Sequence, residues 1–286
     1  MIDQSKLSPG LYLVALPIGN ANDITLRALD TLKRVDIIAC EDTRTTDRLL
    51  KHHAIQASMT CYNDHSTDRD RNHLLHLIND GKAVALVSDA GTPLISDPGY
   101  KLVVDAYEQH IPVVSLPGPC ALIMALTLSG LPSNRFLFEG FLPSKEKARR
   151  DHLEAIKHYE GTLIFYESPN RVGESLKDMA DILGGRDAAL LRELTKTYEE
   201  IQRSPLPELY DFYEKKGNPK GEVVIIVGPP LPKTHEVTGL VQVDVTAMLT
   251  LLLKTQSLKD AVAMTVQLTG LGKNDVYQLA LTLKGD

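Results

Sequence analysis

Acidic side chains recur at one kind of position in this sequence, immediately after a short apolar run. VALV, 84–87, leads into SDAGTPLISDPG, 88–99, which carries Asp89 and Asp97 among the turn formers Gly91, Pro93, Pro98 and Gly99, and no basic residue. IIAC, 37–40, leads into Glu41 and Asp42, TLIFY, 162–166, into Glu167, and AALL, 188–191, into Arg192 and Glu193. A carboxylate held there can take a proton from a reacting hydroxyl, neutralise a cation or accept hydrogen bonds from a sugar. Glu41, Asp42, Glu167 and Glu193 are therefore candidates for a general base, and the sequence does not choose among them. Arg44, Arg171, Arg192 and Lys196 stand in the same loops and could hold phosphates or orient those carboxylates.

The elements that must position these groups alternate between strand and helix. Residues 11–16 read as a strand ending in the turn PIGN. DITLRALDTLKRVD follows, with helical spacing at Ile24, Ala28, Leu32 and Val35 and Asp23 as the expected N-cap. IIAC, VALV and 113–116 read as buried strands, and 100–109 as a helix. The pattern restarts near Phe136, with strands at 162–166, 188–191 and 223–227. This repetition predicts an α/β protein with mostly parallel sheets and helices on both faces. Two α/β domains are expected, 1–128 and 129–233, linked through LSGLPSNR. A helical C-terminal extension, 234–286, follows, in which 257–281 reads as helix, TGLGKN turn, helix. Ligands of open α/β sheets sit beyond the carboxyl ends of the strands. That rule gathers LPIGN, CEDTR, SDAGTP, LPGPCA, YESPNR and RELTK round one cleft.

The 286 residues are 43% hydrophobic and 24% charged, ordinary values for a globular protein with ample core. No run approaches the roughly 18 apolar residues of a membrane span. MIDQSKLSPG lacks the charged and apolar regions of a secretory signal, so a cytoplasmic location is expected. Cys40, Cys61 and Cys120 form no CxxC pair, and neither a metal nor a disulfide framework is expected. The net charge of −6 argues against blanket nucleic-acid affinity but leaves room for a local basic patch.

None of the loops is GxGxxG or a P-loop, so a phosphate cradle is not expected. Asp89 instead suits a ligand with hydroxyls or positive charge: a ribose, an amino group or a sulfonium. S-adenosylmethionine offers all three. The ordered set LPIGNxxDITLRAL, CEDTR, SDAGTPLISDPG, LPGPCA, YESPNR and RELTKxYEE resembles the tetrapyrrole-methylase superfamily of S-adenosylmethionine-dependent methyltransferases. It is most similar to the branch that methylates the ribose 2′-hydroxyl of a cytidine in the decoding region of 16S ribosomal RNA. The resemblance covers about residues 10 to 230, and the tail resembles that branch's helical extension. It implies a cofactor in the cleft between the two domains, a homodimer, and the small ribosomal subunit as partner. Carried over, it implies that Pro17, Ile18 and Gly19 line the first loop. Asp89 and Thr92 then approach the methionine and ribose, Gly91 and Ile95 also bind the cofactor, and Cys120, Ala121, Tyr166 and Leu194 pack near the adenosine. Pro229 closes the pocket.

Other readings stand beside these. Tetrapyrrole-modifying relatives have a more glycine-rich first loop, and a GDP-type motif where this chain has Ser88-Asp89-Ala90. A porphyrinogen or precorrin substrate is the alternative within the family. Outside it, Glu41, Asp42, Asp89 and Asp97 could bind Mg²⁺ in a phosphotransferase or hydrolase. Asp97-Pro98-Gly99 also reads as a helix start, and Asn170 and Arg171 as a cap. Cys40 and Cys120 read as small buried residues, and His52-His53 as surface. RNA contacts are expected from Arg44, Arg48, Arg171 and Lys196, and from Lys145, Lys147, Arg149 and Arg150 in PSKEKARRDHL, 143–153. The plainer reading of that patch is a solvated helix start, although cations oppose the dipole there.

Overall fold

The computed structural model describes residues 6–231 and 244–284, and the chain divides after Leu231 into two compact units. The first unit holds two five-stranded sheets. One contains β1 (Gly10–Val14), β2 (Ile37–Cys40), β3 (Met59–Cys61), β4 (Ala83–Val87) and β5 (Val113–Leu116) in the order β3-β2-β4-β1-β5, every pair parallel. Helices cover both faces, which is why central β4 is an unbroken apolar run, buried throughout. Strand alternation divides β1 between two cores. Leu11 packs with Leu74 and Leu102, and Tyr12 with Leu32 and Leu50. The helices are α1 (Leu26–Arg34), α2 (Thr43–His52), α3 (Asp68–Asn79), α4 (Tyr100–Glu108) and α5 (Ala121–Ser129).

Local chemistry sets the boundaries, with one change from the expected caps. Thr25, not Asp23, caps α1, its hydroxyl accepting from the Ala28 N–H; Asp23 ends a 3-10 turn that Asn20 caps. Strand β3 had no sequence signal, being three residues long and without an alternating burial pattern.

The second sheet contains β6 (Phe136–Phe141), β7 (Thr162–Glu167), β8 (Asp187–Arg192), β9 (Glu200–Pro205) and β10 (Val223–Val227), in the order β6-β7-β10-β8-β9. The expectation of a mostly parallel sheet fails here. Only β6 and β7 run parallel, and β10 is inserted antiparallel to β7 and β8. Its amino end therefore lies beside the carboxyl ends of its neighbours, with Val223 opposite both Glu167 and Arg192. Helices α6 (Glu146–Ile156), α7 (Val172–Leu183) and α8 (Leu206–Lys216) cover one face of this sheet. Helix α5 covers the other, placing Leu122, Ala125 and Leu126 against Ile164, Ala189, Leu191 and Ile226.

The second unit contains α9 (Val245–Leu253), α10 (Leu258–Thr269) and α11 (Lys273–Lys284) around a small core of Leu249, Ala261, Val262, Val276 and Ala280. Asp244 and Ser257 cap α9 and α10, and Gly270, left-handed at φ 70°, ends α10 in the TGLGKN turn.

Candidate active site

A cavity of about 370 Å³ opens between the two sheets of the first unit, a size that suits a small organic ligand. From the first half come Ile18, Gly91, Thr92, Ile95, Cys120 and Ala121; from the second come Phe141, Tyr166, Leu194, Val223 and Val224. Backbone pairing stitches the first two loops, because the Leu16 and Gly91 amides donate to each other's carbonyls at 2.8 and 3.0 Å. The Thr92 hydroxyl donates to the Pro119 carbonyl at 2.9 Å, drawing in the loop before α5. Tyr166 closes the opposite side. Its hydroxyl accepts the Leu122 N–H at 3.1 Å, one of the donors left unpaired at the start of α5. Burial pushes that phenol above its ordinary range, so it stays protonated.

Asp97 is one of three acids on this cavity, with Glu167 and Glu222. Burial pushes its carboxyl up to about 6, against a hydrogen bond from Ser88 and with help from the charges of Glu41 and Asp89. The loop that carries it is strained. Among the described residues, non-glycine left-handed conformations occur at Leu94 (φ 74°) and Ser96 (φ 62°), and again at Glu193 (φ 50°) and Thr195 (φ 67°) across the cleft. Such conformations concentrate where surrounding structure holds a functional loop in place.

A second cavity, of about 530 Å³, adjoins the first. Ile18, Ala90 and Glu222 line both. Lys196 stands on its rim, its ammonium 2.8 Å from Glu193 and 2.9 Å from Glu222. Burial opposes its charge, but those two carboxylates outweigh burial and hold the ammonium above the ordinary lysine range, so Lys196 is no base. Gly221 has a positive φ of 87°, and a Cβ there would lie 2.3 Å from Glu193 Oε1.

Residues 10–210 match the tetrapyrrole (corrin/porphyrin) methylases, and residues 240–284 match the RsmI C-terminal HTH domain. The chain belongs to the tetrapyrrole methylases. Ribosomal RNA small subunit methyltransferase I of Mesorhizobium japonicum is 48% identical to it over 284 residues, which is 99% of this chain and 95% of that protein. Among solved structures, diphthine synthase matches with a TM-score of 0.60 at 13% identity, over 76% of this chain and 89% of its own. Uroporphyrin-III C-methyltransferase from Thermus thermophilus, complexed with S-adenosyl homocysteine, matches with a TM-score of 0.55 at 18% identity, over 77% and 97%.

This tetrapyrrole methylase places the expected ligand residues unevenly. Ile18, Gly91, Thr92, Ile95, Cys120, Ala121, Tyr166 and Leu194 converge on the first cavity. Pro17, Gly19 and Asp89 line the second instead. Burial raises the Asp89 carboxyl, although the Asp42 N–H donates to it at 3.1 Å. Pro229 lies at neither. It follows Gly228, whose N–H donates to the Asp187 carbonyl at the far end of β8, because β10 runs opposite to the expected direction.

The four general-base candidates are not brought to the cavities as free carboxylates. Glu41 and Asp42 line neither. Burial raises Glu41, whereas hydrogen bonds from Arg44 hold Asp42 down at about 2, where it caps α2. Glu167 touches the first cavity, but its side chain is buried and engaged by Arg171 at 2.7 Å, by the Ser168 N–H at 2.6 Å and by the Ser175 hydroxyl. Glu193 is held below the usual range by Lys196 and accepts the Glu222 N–H at 3.0 Å. Nor do Glu41, Asp42, Asp89 and Asp97 form a metal site. Among the described residues, no three His, Cys, Asp or Glu side chains are placed to hold an ion.

The expected basic patch is also reduced. Arg149 is 2% exposed and bonded to Asp178, and Arg150 bridges Asp178 and Asp181; only Lys145 and Lys147 remain exposed. Arg171 is spent on Glu167 and the Leu142 carbonyl, and Arg44 closes on Asp42. Glu222 was missed by the sequence reading. Its only signal was its position one residue before VVIIV, which a parallel reading of that strand places at the wrong end of the sheet.

Proposed function

We propose that this protein transfers a methyl group from S-adenosylmethionine to the ribose 2′-hydroxyl of a cytidine in the decoding region of 16S ribosomal RNA, acting on the small subunit. The observation that carries the reading is the 48% identity, extending over both units, to a protein named for methylating small-subunit ribosomal RNA. In this reading, residues 1–128 and 129–233 form the halves of the cleft. The chain works as a cytoplasmic homodimer, a reading compatible with the finding that no described helix is long and apolar enough to cross a membrane.

The first cavity fits the cofactor. Its walls are apolar, Asp97 is half-buried in it, and the start of α5 offers backbone donors beside Cys120 and Ala121. A ligand with an apolar body and charges of both signs is complementary to that set, and the related methyltransferase of known structure holds S-adenosyl homocysteine. When bound, S-adenosylmethionine supplies a methyl group activated by the sulfonium. The protein's residues hold the acceptor oxygen in line with it, and positioning of this kind can account for a large share of the rate. Ile18, Gly91, Thr92, Ile95, Cys120, Ala121, Tyr166 and Leu194 hold the cofactor, with Asp97 facing its positive charge.

Incubation with radiolabelled methyl donor and small subunits lacking the modification, followed by nuclease mapping, tests the reading. Label on the 2′-oxygen of a single cytidine is the expected result. Label on a base, or on a porphyrinogen offered in parallel and not on RNA, would overturn it. The second unit is assigned to recognition of the subunit. Removing residues 238–286 should raise the subunit concentration at half-maximal rate by about tenfold, a typical share of interface energy, while donor binding by calorimetry stays within twofold. Unchanged turnover on intact subunits would remove the tail from recognition.

A further inference from the structure

The wall shared by the two cavities contains a single ionisable side chain, that of Glu222, beside Ile18 and Ala90. The carboxylate is tethered without being enclosed. Lys196 donates to Oε2 at 2.9 Å, and the Glu222 N–H binds Glu193 at 3.0 Å, yet the side chain remains 74% exposed. The turn and the 193–196 loop are thus fastened to each other, and among the described residues the carboxylate, which lines both cavities, makes no hydrogen bond other than the one from Lys196.

Helix α2 supplies the opposite side of the second cavity. Thr45, Arg48, Leu49 and His52 stand at i, i+3, i+4 and i+7, a spacing that puts all four on one helical face. His52 is exposed, as expected, and also stands on this wall. The two cations of the cavity differ. Lys196 is committed to Glu193 and Glu222, whereas exposed Arg48 has no salt bridge among the described residues. Leu16, Pro17 and Leu49 complete an apolar floor. An exposed guanidinium without an ion-pair partner among the described residues, hydrogen-bonding side chains and an apolar surface are the complements of a phosphate, a sugar and a base.

We propose that the second cavity seats the acceptor ribonucleotide, its phosphate against Arg48, and that Glu222 at the shared wall accepts the proton of the 2′-hydroxyl that is methylated. This rests on the reading of the first cavity as the methyl-donor site. The ribose oxygen forms its bond to the methyl carbon as the carbon–sulfur bond breaks. That electron pair stays on sulfur, leaving a neutral thioether, and the hydroxyl proton passes to the Glu222 carboxylate and from there to solvent. An RNA nucleotide reaches such a cavity only when splayed out of its stack, as single-stranded loops permit.

The test uses the full chain with small subunits in single-turnover reactions at saturating donor, alongside Glu222→Gln, Glu222→Asp and Arg48→Ala. Glu222→Gln should slow methyl transfer at saturating subunits by about 10²-fold or more, with donor affinity within twofold of the parent, and Glu222→Asp should recover part of the rate. Arg48→Ala should raise the half-saturating subunit concentration about tenfold and lower the salt slope of binding by about 0.7, as expected for one lost phosphate contact on single-stranded RNA. A Glu222→Gln rate within threefold of the parent, or an Asp variant no faster than Gln, would overturn the role of Glu222. An unaltered subunit requirement in Arg48→Ala would overturn the seat. A parent enzyme that transfers methyl to no RNA would instead reject the reading on which this rests, and this inference with it.

Discussion

Replacing Asp97 with Asn is expected to weaken binding of S-adenosylmethionine by about 10- to 100-fold, the cost of losing a charge-assisted contact in a partly desolvated site. The acid lines the first cavity with its carboxyl at about 6, so near neutral pH it is ionised and can face a cation. As pH falls through 6 it takes up a proton, and the affinity of the parent for the donor should fall with it. The Asn variant should bind weakly and without that dependence. S-adenosylhomocysteine, which lacks the sulfonium charge, separates two placements. A flat profile for it puts Asp97 at the sulfonium, and a parallel profile puts it at the amino group.

Stability should move the opposite way. A raised carboxyl favours the folded state while protonated. Its contribution is complete below the ordinary value of 3.8 and is lost as pH rises through about 6. Asn removes that loss, so the variant should unfold later than the parent at pH 8, by about 1–2 kcal/mol after allowing for partial exposure, and alike at pH 3.5. Wild-type donor affinity in the variant at pH 8, measured by calorimetry, would remove Asp97 from the site.

Arg149→Ala is expected to destabilise the first unit by about 3 kcal/mol, the low end of the range for breaking a buried ion pair. Arg149 and Asp178 are 2% and 3% exposed and meet at 2.7 Å, joining α6 to α7 beneath the second sheet. The loss falls short of a full orphaned charge because Arg150 keeps the other Asp178 oxygen at 2.7 Å. Replacing both partners by Met and Leu should recover much of the loss, since the desolvation cost leaves with the charges. Urea unfolding decides the matter. A loss below about 1 kcal/mol would show that the pair contributes little beyond its packing.

Much of the first sheet was written in local patterns. IIAC and VALV are apolar throughout because parallel strands inside the sheet are covered on both faces, whereas VVSL, expected as a buried strand, is the edge strand β5, where only Leu116 is buried; VALV and VVSL each end in a loop whose turn formers mark it as a ligand edge. The six-loop set was likewise legible, and eight of the residues carried over from it line one cavity. Strand direction was not legible. VVIIV reads the same whichever way it runs, and only pairing with β7 and β8 turned it round, moving Pro229 away from the cleft and bringing Glu222 into it. Partner choice was equally hidden. Arg149, Arg171, Glu167 and Glu193 have the composition of a binding site, yet the fold sets each against an opposite charge, and burial makes that pairing obligatory. Apolar runs and turn residues act locally, so they mark the strand ends where ligand loops stand. Which of those loops line which cavity, and which charges they leave free, depends on contacts between residues distant in the chain and is set by the tertiary fold.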